Sequence, residues 1–186
     1  MSKTTLYIAT TLDGKIARKD GSLDWLYALP NPNQIDHGYG QFLSTVGTTV
    51  MGKNTYKEII GFGVDWPYVG MNSYVVTTDK DFKSTTPDTF IVTANLTDFV
   101  NDLKKRNEKD IWLIGGGQLI ASFLDNDLLD RMILTLIPAT IGEGIPLFPD
   151  IAKESTWTLI NVERFETGVV NLTYDRKQKH CQKHAV

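Results

Sequence analysis

The 186-residue sequence predicts an α/β fold: a mainly parallel eight-stranded central sheet flanked by about four helices and ending in an antiparallel β-hairpin. Three observations predict it. Runs of strand-forming residues alternate with stretches whose apolar residues recur at helical spacing. The run Ile111-Trp112-Leu113-Ile114 is continuously apolar, as expected of a strand buried on both faces in a parallel sheet. The last two β-type runs are separated only by Glu166-Thr167-Gly168, the composition of a hairpin turn.

Leu6 to Ala9 is the first strand, and Asp13-Gly14 beyond it favours a tight turn. From Ala17 to Ile35, Gly, Asp, Asn and Pro surround the isolated apolar residues Trp25, Leu26 and Leu29. A long loop is expected there, of the length often used as a functional lid. A short helix is expected over Asp36 to Leu43, weakened by Gly38 and Gly40. Val46 to Met51 reads as a strand running into Gly52, after which Tyr56, Ile59 and Ile60 recur at helical spacing. Ser73 to Thr78 and Thr89 to Thr93 are two further strands. Leu96, Phe99, Val100 and Leu103 mark an amphipathic helix behind Asn95 or Thr97 as its cap, stopping near Asn107. The strand Ile111 to Ile114 passes through Gly115-Gly116-Gly117 into a helix from Gln118 to Leu124. Arg131 to Ala139 is β-type, Thr140 to Pro149 is a Gly/Pro loop, and Thr156 to Phe165 pairs with Val169 to Arg176 as the hairpin.

The length suits one domain, 1–177, with a polar tail over 178–186. Hydrophobic residues at 41% and charged residues at 22% match a globular chain and argue against disorder. A net charge of −3 lacks the basic field that a nucleic-acid binder needs, so nucleic acid is not expected as a partner. The single cysteine, Cys181, cannot close an internal disulfide, which agrees with a reducing compartment. No secretory signal, membrane-spanning run or metal site is read, and the expected location is the cytoplasm.

Two strand-glycine-helix junctions carry the chemistry. At Ile114-Gly115-Gly116-Gly117-Gln118 the missing side chains and the free N–H groups of a helix start would admit a pyrophosphate, although a tight connection alone explains the motif equally well. At Met51-Gly52-Lys53-Asn54-Thr55-Tyr56 a cation stands at a helix N-terminus, where the dipole disfavours it unless an anion is bound. Lys53 and Thr55 therefore point to a phosphate, against the alternative of an exposed loop lysine. Two such junctions in one sheet suit a dinucleotide.

These motifs, with Asp13-Gly14-Lys15-Ile16-Ala17, Leu134-Thr135, Gly142-Glu143-Gly144 and Leu147-Phe148-Pro149, occur in the order seen in dihydrofolate reductases. Over residues 4–176 the chain resembles the dihydrofolate-reductase-like superfamily. The resemblance implies NADPH across the C-terminal edge of the sheet, with Gly115, Gly116, Gly117, Gln118 and Leu119 at the pyrophosphate and a cis peptide between Gly115 and Gly116. It places Gly52, Lys53 and Thr55 at phosphate, Thr77 and Thr78 near the adenosine 2′-phosphate, and Ala9, Ile16 and Trp25 at the nicotinamide end. Trp25 is equally readable as a core anchor.

Asp36 stands sixteen residues before Gly52, where dihydrofolate reductases place the acid that serves the pterin. A partly buried carboxylate with a raised pKa could hold a pyrimidine ring and supply a proton; the plainer reading is a helix N-cap. Thr135 would share that site, or is simply a β-branched strand residue. Asp24-Trp25-Leu26 and Gly142 to Phe148 look more like stand-alone relatives of the riboflavin-biosynthesis reductase domain. Gly70-Met71-Asn72-Ser73 lacks the arginine with which folate enzymes hold the substrate's glutamate. The expected function is NADPH-dependent hydride transfer to a pyrimidine-derived substrate, as in 5-amino-6-(5-phosphoribosylamino)uracil reductase. The alternatives are a dihydrofolate or pteridine reductase acting on a pterin-like substrate and a non-catalytic nucleotide-binding module. Lys15, Arg18 and Lys19 would hold a substrate phosphate or simply face solvent. The resemblance also implies a homodimer, for which the apolar C-terminal strands could supply an interface.

Overall fold

The computed structural model describes residues 2–149 and 153–177. Cys181 and the predicted tail lie outside them. The strands are β1 (Thr4–Thr11), β2 (Lys15–Ala17), β3 (Val46–Gly52), β4 (Asn72–Val76), β5 (Thr89–Val92), β6 (Asp110–Gly115), β7 (Arg131–Ile137), β8 (Ile145–Pro146), β9 (Trp157–Arg164) and β10 (Val170–Arg176). The helices are α1 (Asp24–Tyr27), α2 (Tyr39–Thr45), α3 (Lys53–Gly61), α4 (Leu96–Arg106) and α5 (Gly117–Asp125). Eight strands form one sheet in the order β5-β4-β3-β6-β1-β7-β10-β9, parallel from β5 to β7 and antiparallel thereafter. This is the predicted architecture.

Strand periodicity builds the two faces. In β6, Ile111 and Leu113 enter a core cluster with Val100 and Leu103 of α4 and Ile120 and Phe123 of α5. Trp112 between them enters a second cluster with Phe42 of α2 and Tyr56 and Ile59 of α3. Alternate side chains leave opposite faces of a strand, so a strand covered on both sides must be apolar throughout. In β1, Leu6 and Ile8 face α4 and α5, while Tyr7 faces the second cluster. Asn95 caps α4 by accepting from the Asp98 N–H at 3.2 Å, and three basic residues in the last turn suit the helix dipole.

Departures from the sequence reading lie in the irregular segments. The expected 17–35 loop begins with β2, which pairs with β8, and contains the single-turn α1. Elements of two to four residues are too short to show a period. The helix expected from Asp36 starts at Tyr39, because His37 (φ 52°) and Gly38 (φ 82°) adopt left-handed backbone. The hairpin turns as predicted, with Gly168 at φ 85° donating to the Phe165 carbonyl. Among the described residues no helix is long and apolar enough to cross a membrane.

Candidate active site

Two features meet at the C-terminal edge of the parallel strands. The first is the pair of glycine junctions. β3 and β6 are parallel neighbours, so Gly52 and Gly115 end side by side, and a Cβ on Gly52 would lie 3.9 Å from the Gly115 carbonyl and the Gly116 nitrogen. α3 and α5 begin there, and no side chain caps either N-terminus. Two helix starts thus direct uncapped N–H groups and positive dipole ends to one place. The Gly115-Gly116 peptide is cis, and Gly115 has φ 134°, a conformation left to glycine. A Cβ on Gly116 would come within 3.2 Å of the Thr55 hydroxyl, so Thr55 belongs to the same cradle. Gly117 has another reason for its identity: a Cβ there would stand 3.1 Å from the Pro146 carbonyl oxygen, so it makes room for the 145–149 loop. Gln118 is exposed, and Leu119 turns back into the core.

Lys53 has a partner within the chain. Its ammonium lies 3.1 Å from Asp79 Oδ2, so a carboxylate of the chain itself supplies the anion that the lysine's position calls for. Thr77 orients this acid by accepting from the Asp79 N–H, and Thr78 is exposed beside it. The Lys53 hydrogen bond holds Asp79 below the usual carboxylate range.

The second feature is a cleft of about 250 Å³ on the α2–α3 face, lined by Tyr7, Ala9, Asp36, His37, Thr135 and Ile137 among others. The structure brings Asp36 and Thr135 together. Their environments differ from the expected buried, raised carboxyl. Asp36 is exposed, and its two oxygens accept from the Gly40 and Gly38 N–H groups, each at 3.0 Å. Those two bonds hold its pKa below the ordinary value, so Asp36 braces the start of α2 as an ionised acceptor and carries no proton at neutral pH.

Thr135 is 6% exposed, and its hydroxyl faces the Tyr7 phenol without closing a hydrogen bond of normal geometry. Tyr7 donates to the His37 carbonyl at 3.3 Å, and burial raises its pKa despite the Thr135 hydroxyl opposite. The same carbonyl accepts from Asn171 Nδ2 at 2.7 Å, and the His37 ring meets the Thr167 hydroxyl at 2.9 Å. Burial pushes the His37 pKa down, with Asp36 opposing. Ala9, Thr135, Asn171 and Glu163 are register partners in one row across β1, β7, β10 and β9.

Two further expected residues sit behind the cleft. Trp25 is 5% exposed and packs with Ile137 and Val169, so it braces a wall from within rather than covering the opening. Ile16 packs against the main core from β2. Arg18 and Lys19 pair with Asp24 and Glu143, each at 2.6 Å, which staples the loop. Met71, in the stretch that lacks the arginine of folate enzymes, packs into the second core. Sequence reasoning missed Tyr7, His37 and Asn171. The period-two spacing from Ala9 points to Tyr7, and adjacency to Asp36 points to His37, whereas only the β7–β10 register brings Asn171 here.

Residues 2–171 match the model of the RibD C-terminal domain family. The uncharacterized protein YwjB of Bacillus subtilis (strain 168) is 36% identical over 167 residues, 90% of this chain and 94% of that protein. A putative riboflavin biosynthesis protein from Shewanella sp. PV-4 superposes with a TM-score of 0.86 at 34% identity, over 95% of this chain and 99% of that one. Two more distant structures share the fold. One is a diaminohydroxyphosphoribosylaminopyrimidine deaminase/5-amino-6-(5-phosphoribosylamino)uracil reductase from Thermotoga maritima, with a TM-score of 0.70 at 16% identity over 95% of this chain and 57% of that one. The other is dihydrofolate reductase from Enterococcus faecalis complexed with NADP(H), with a TM-score of 0.69 at 20% identity over 95% and 97%.

Proposed function

The chain belongs to the RibD C-terminal domain family, a family of reductases with the dihydrofolate-reductase fold, and from that premise we propose that it transfers a hydride from NADPH to an imine-like carbon of a pyrimidine-derived substrate, in the manner of 5-amino-6-(5-phosphoribosylamino)uracil reductase. One observation carries the reading: the glycine cradle between β3 and β6 and the polar cleft beside β1 and β7 open on the same sheet edge, with only the β6–β1 step between them.

The residues at the cradle fit a dinucleotide diphosphate. Gly52, Thr55, Gly115, Gly116 and the first N–H groups of α5, at Gly117, Gln118 and Leu119, would surround it with donors and two positive helix ends. Lys53, Thr77 and Thr78 would meet the adenosine side, and Ala9 the nicotinamide side, with Ile16 and Trp25 as backing. When bound, the cofactor supplies the hydride. The chain's own groups do the rest. Ionised Asp36 accepts from ring N–H groups, and the unsatisfied Thr135 hydroxyl takes a further ring hydrogen bond. Tyr7 keeps its proton because burial raises its pKa, so its phenol Oη stands in the cleft wall as a neutral hydrogen-bond donor, and the proton that the substrate nitrogen takes up comes from solvent reaching the cleft. Because Arg18 pairs with Asp24 and Lys19 with Glu143 across from it, a phosphoribosyl arm would be left to other contacts.

The test is NADPH oxidation with a panel of 5-aminouracils carrying ribityl or phosphoribosyl arms, alongside dihydrofolate and dihydropterin. Turnover on the aminouracils with weak or absent dihydrofolate reduction is expected. Dihydrofolate turnover at a kcat/KM above about 10⁵ M⁻¹s⁻¹, within the range of cognate enzymes, would move the assignment to a folate enzyme. Binding of NADPH with no turnover on any of these would leave a nucleotide-binding module.

A further inference from the structure

We propose that Asp79 sets the cofactor choice of this chain, holding down its preference for a dinucleotide that carries a phosphate on the adenosine ribose. The inference rests on the cofactor reading above and deepens it. In the sheet order β4-β3-β6-β1-β7, a dinucleotide with its diphosphate at the cradle and its nicotinamide toward Ala9 and Thr135 would extend its adenosine the other way, over the end of β4. That end presents Thr77, Thr78 and Asp79. Lys53, the first residue of α3, faces them, and its ammonium is already committed to Asp79 Oδ2 at 3.1 Å.

The carboxylate is fixed as well as charged. The Asp79 N–H donates to the Thr77 hydroxyl at 3.1 Å, and Asp79 Oδ1 accepts from the Asp81 N–H at 3.1 Å. Oδ2 therefore stays at the rim. An acidic residue at an adenosine ribose accepts hydrogen bonds from its hydroxyls, the arrangement dinucleotide sites use for NADH, whereas a ribose phosphate needs an unopposed cation. Here the phosphate would share Lys53 with a carboxylate held within hydrogen-bond reach of the same ammonium. Repulsion between the two anions offsets what the lysine contributes. Lys57 stands over the far edge of the same region, 5.8 Å from the Phe82 ring centroid, as Lys53 does, and forms no part of the pair.

The experiment is calorimetric titration of the wild type, Asp79→Asn and Asp79→Ser with NADPH and NADH, and with adenosine 2′,5′-bisphosphate and adenosine 5′-monophosphate, which differ only in the ribose phosphate. Asparagine keeps the Oδ1 acceptor for the Asp81 N–H, and serine supplies a second uncharged turn residue should asparagine disturb the fold. The wild type is expected to bind NADPH and NADH with Kd values within about tenfold, where tenfold is about 1.4 kcal/mol. Both variants are expected to tighten NADPH and the bisphosphate by roughly 3- to 30-fold and to weaken NADH and the monophosphate by roughly 3- to 10-fold, because the ribose hydroxyls lose a charged acceptor. An unchanged NADPH-to-NADH ratio in both variants, or equal shifts for both cofactors, overturns the role of Asp79 and leaves the cofactor reading intact. Failure of all four probes to bind folded wild type and variants overturns the cofactor reading and this inference together.

Discussion

Asp36 illustrates how one side chain can serve both a backbone and a site. Its two oxygens take the Gly38 and Gly40 N–H groups, yet it lines the cleft and is exposed there. Asn keeps one acceptor and loses the charge. Asp36→Asn is therefore expected to lower turnover on the true substrate by at least about tenfold while leaving the melting temperature nearly unchanged. Steady-state kinetics and thermal melting, measured together, check this; a fallen melting temperature with unchanged turnover would reduce Asp36 to a brace. The pH dependence has a definite sign. A depressed folded-state pKa means that the charge and its contribution are present above the ordinary carboxylate range and are lost only as pH falls through the depressed value. The contribution of Asp36 to substrate KM should therefore stay level from pH 8 to pH 5. A rise in KM across that interval, absent in Asp36→Asn, would show a raised carboxyl pKa instead.

At the scale of elements, α4 and the paired helices α3 and α5 are capped in opposite ways. α4 has Asn95 on the Asp98 N–H, whereas α3 and α5 begin at glycines with no side-chain cap. Capping stabilises a helix, and leaving a start uncapped keeps its donors for another partner. Asn95→Ala is expected to cost about 1 kcal/mol, or about 2–4 °C in Tm for a chain of this size, with no change in NADPH affinity. Thermal melting and cofactor titration measure the two separately, and a parallel loss of NADPH binding would contradict a purely local role. The element boundaries were legible wherever a period extended far enough. The β6 run and the α4 stripe could be read residue by residue, whereas β2, β8 and α1 are too short to carry a period.

At the scale of the molecule, β9 is the exposed feature. It ends the sheet, and Leu159, Ile160 and Val162 are 47%, 48% and 54% exposed, on both faces of the strand. An apolar edge strand with unpaired backbone groups invites another strand or another copy. We propose a homodimer through β9 and expect light scattering at micromolar concentration to report twice the 20.9 kDa chain. Ile160→Lys with Val162→Lys should return it to the single-chain mass with its far-UV spectrum unchanged. A wild-type mass of one chain would remove the dimer.

The sequence by itself determined the eight strands of the main sheet, the helices α3, α4 and α5, the glycine junctions and the β10–β9 hairpin, because each is written in local periodicity or in turn residues that act over a few positions. It also marked Asp36 and Thr135, through a pattern of motifs in order. Only the tertiary structure decided what those side chains meet. Nothing along the chain tells Lys53 that its partner is Asp79, or Thr135 that Asn171 lies beside it and Tyr7 opposite. It likewise decided that Trp25 is core and that Asp36 is ionised at the surface. The physical reason is that a residue's burial and charge state depend on neighbours fixed by strand register and sheet order, which are properties of the folded whole and not of any one segment.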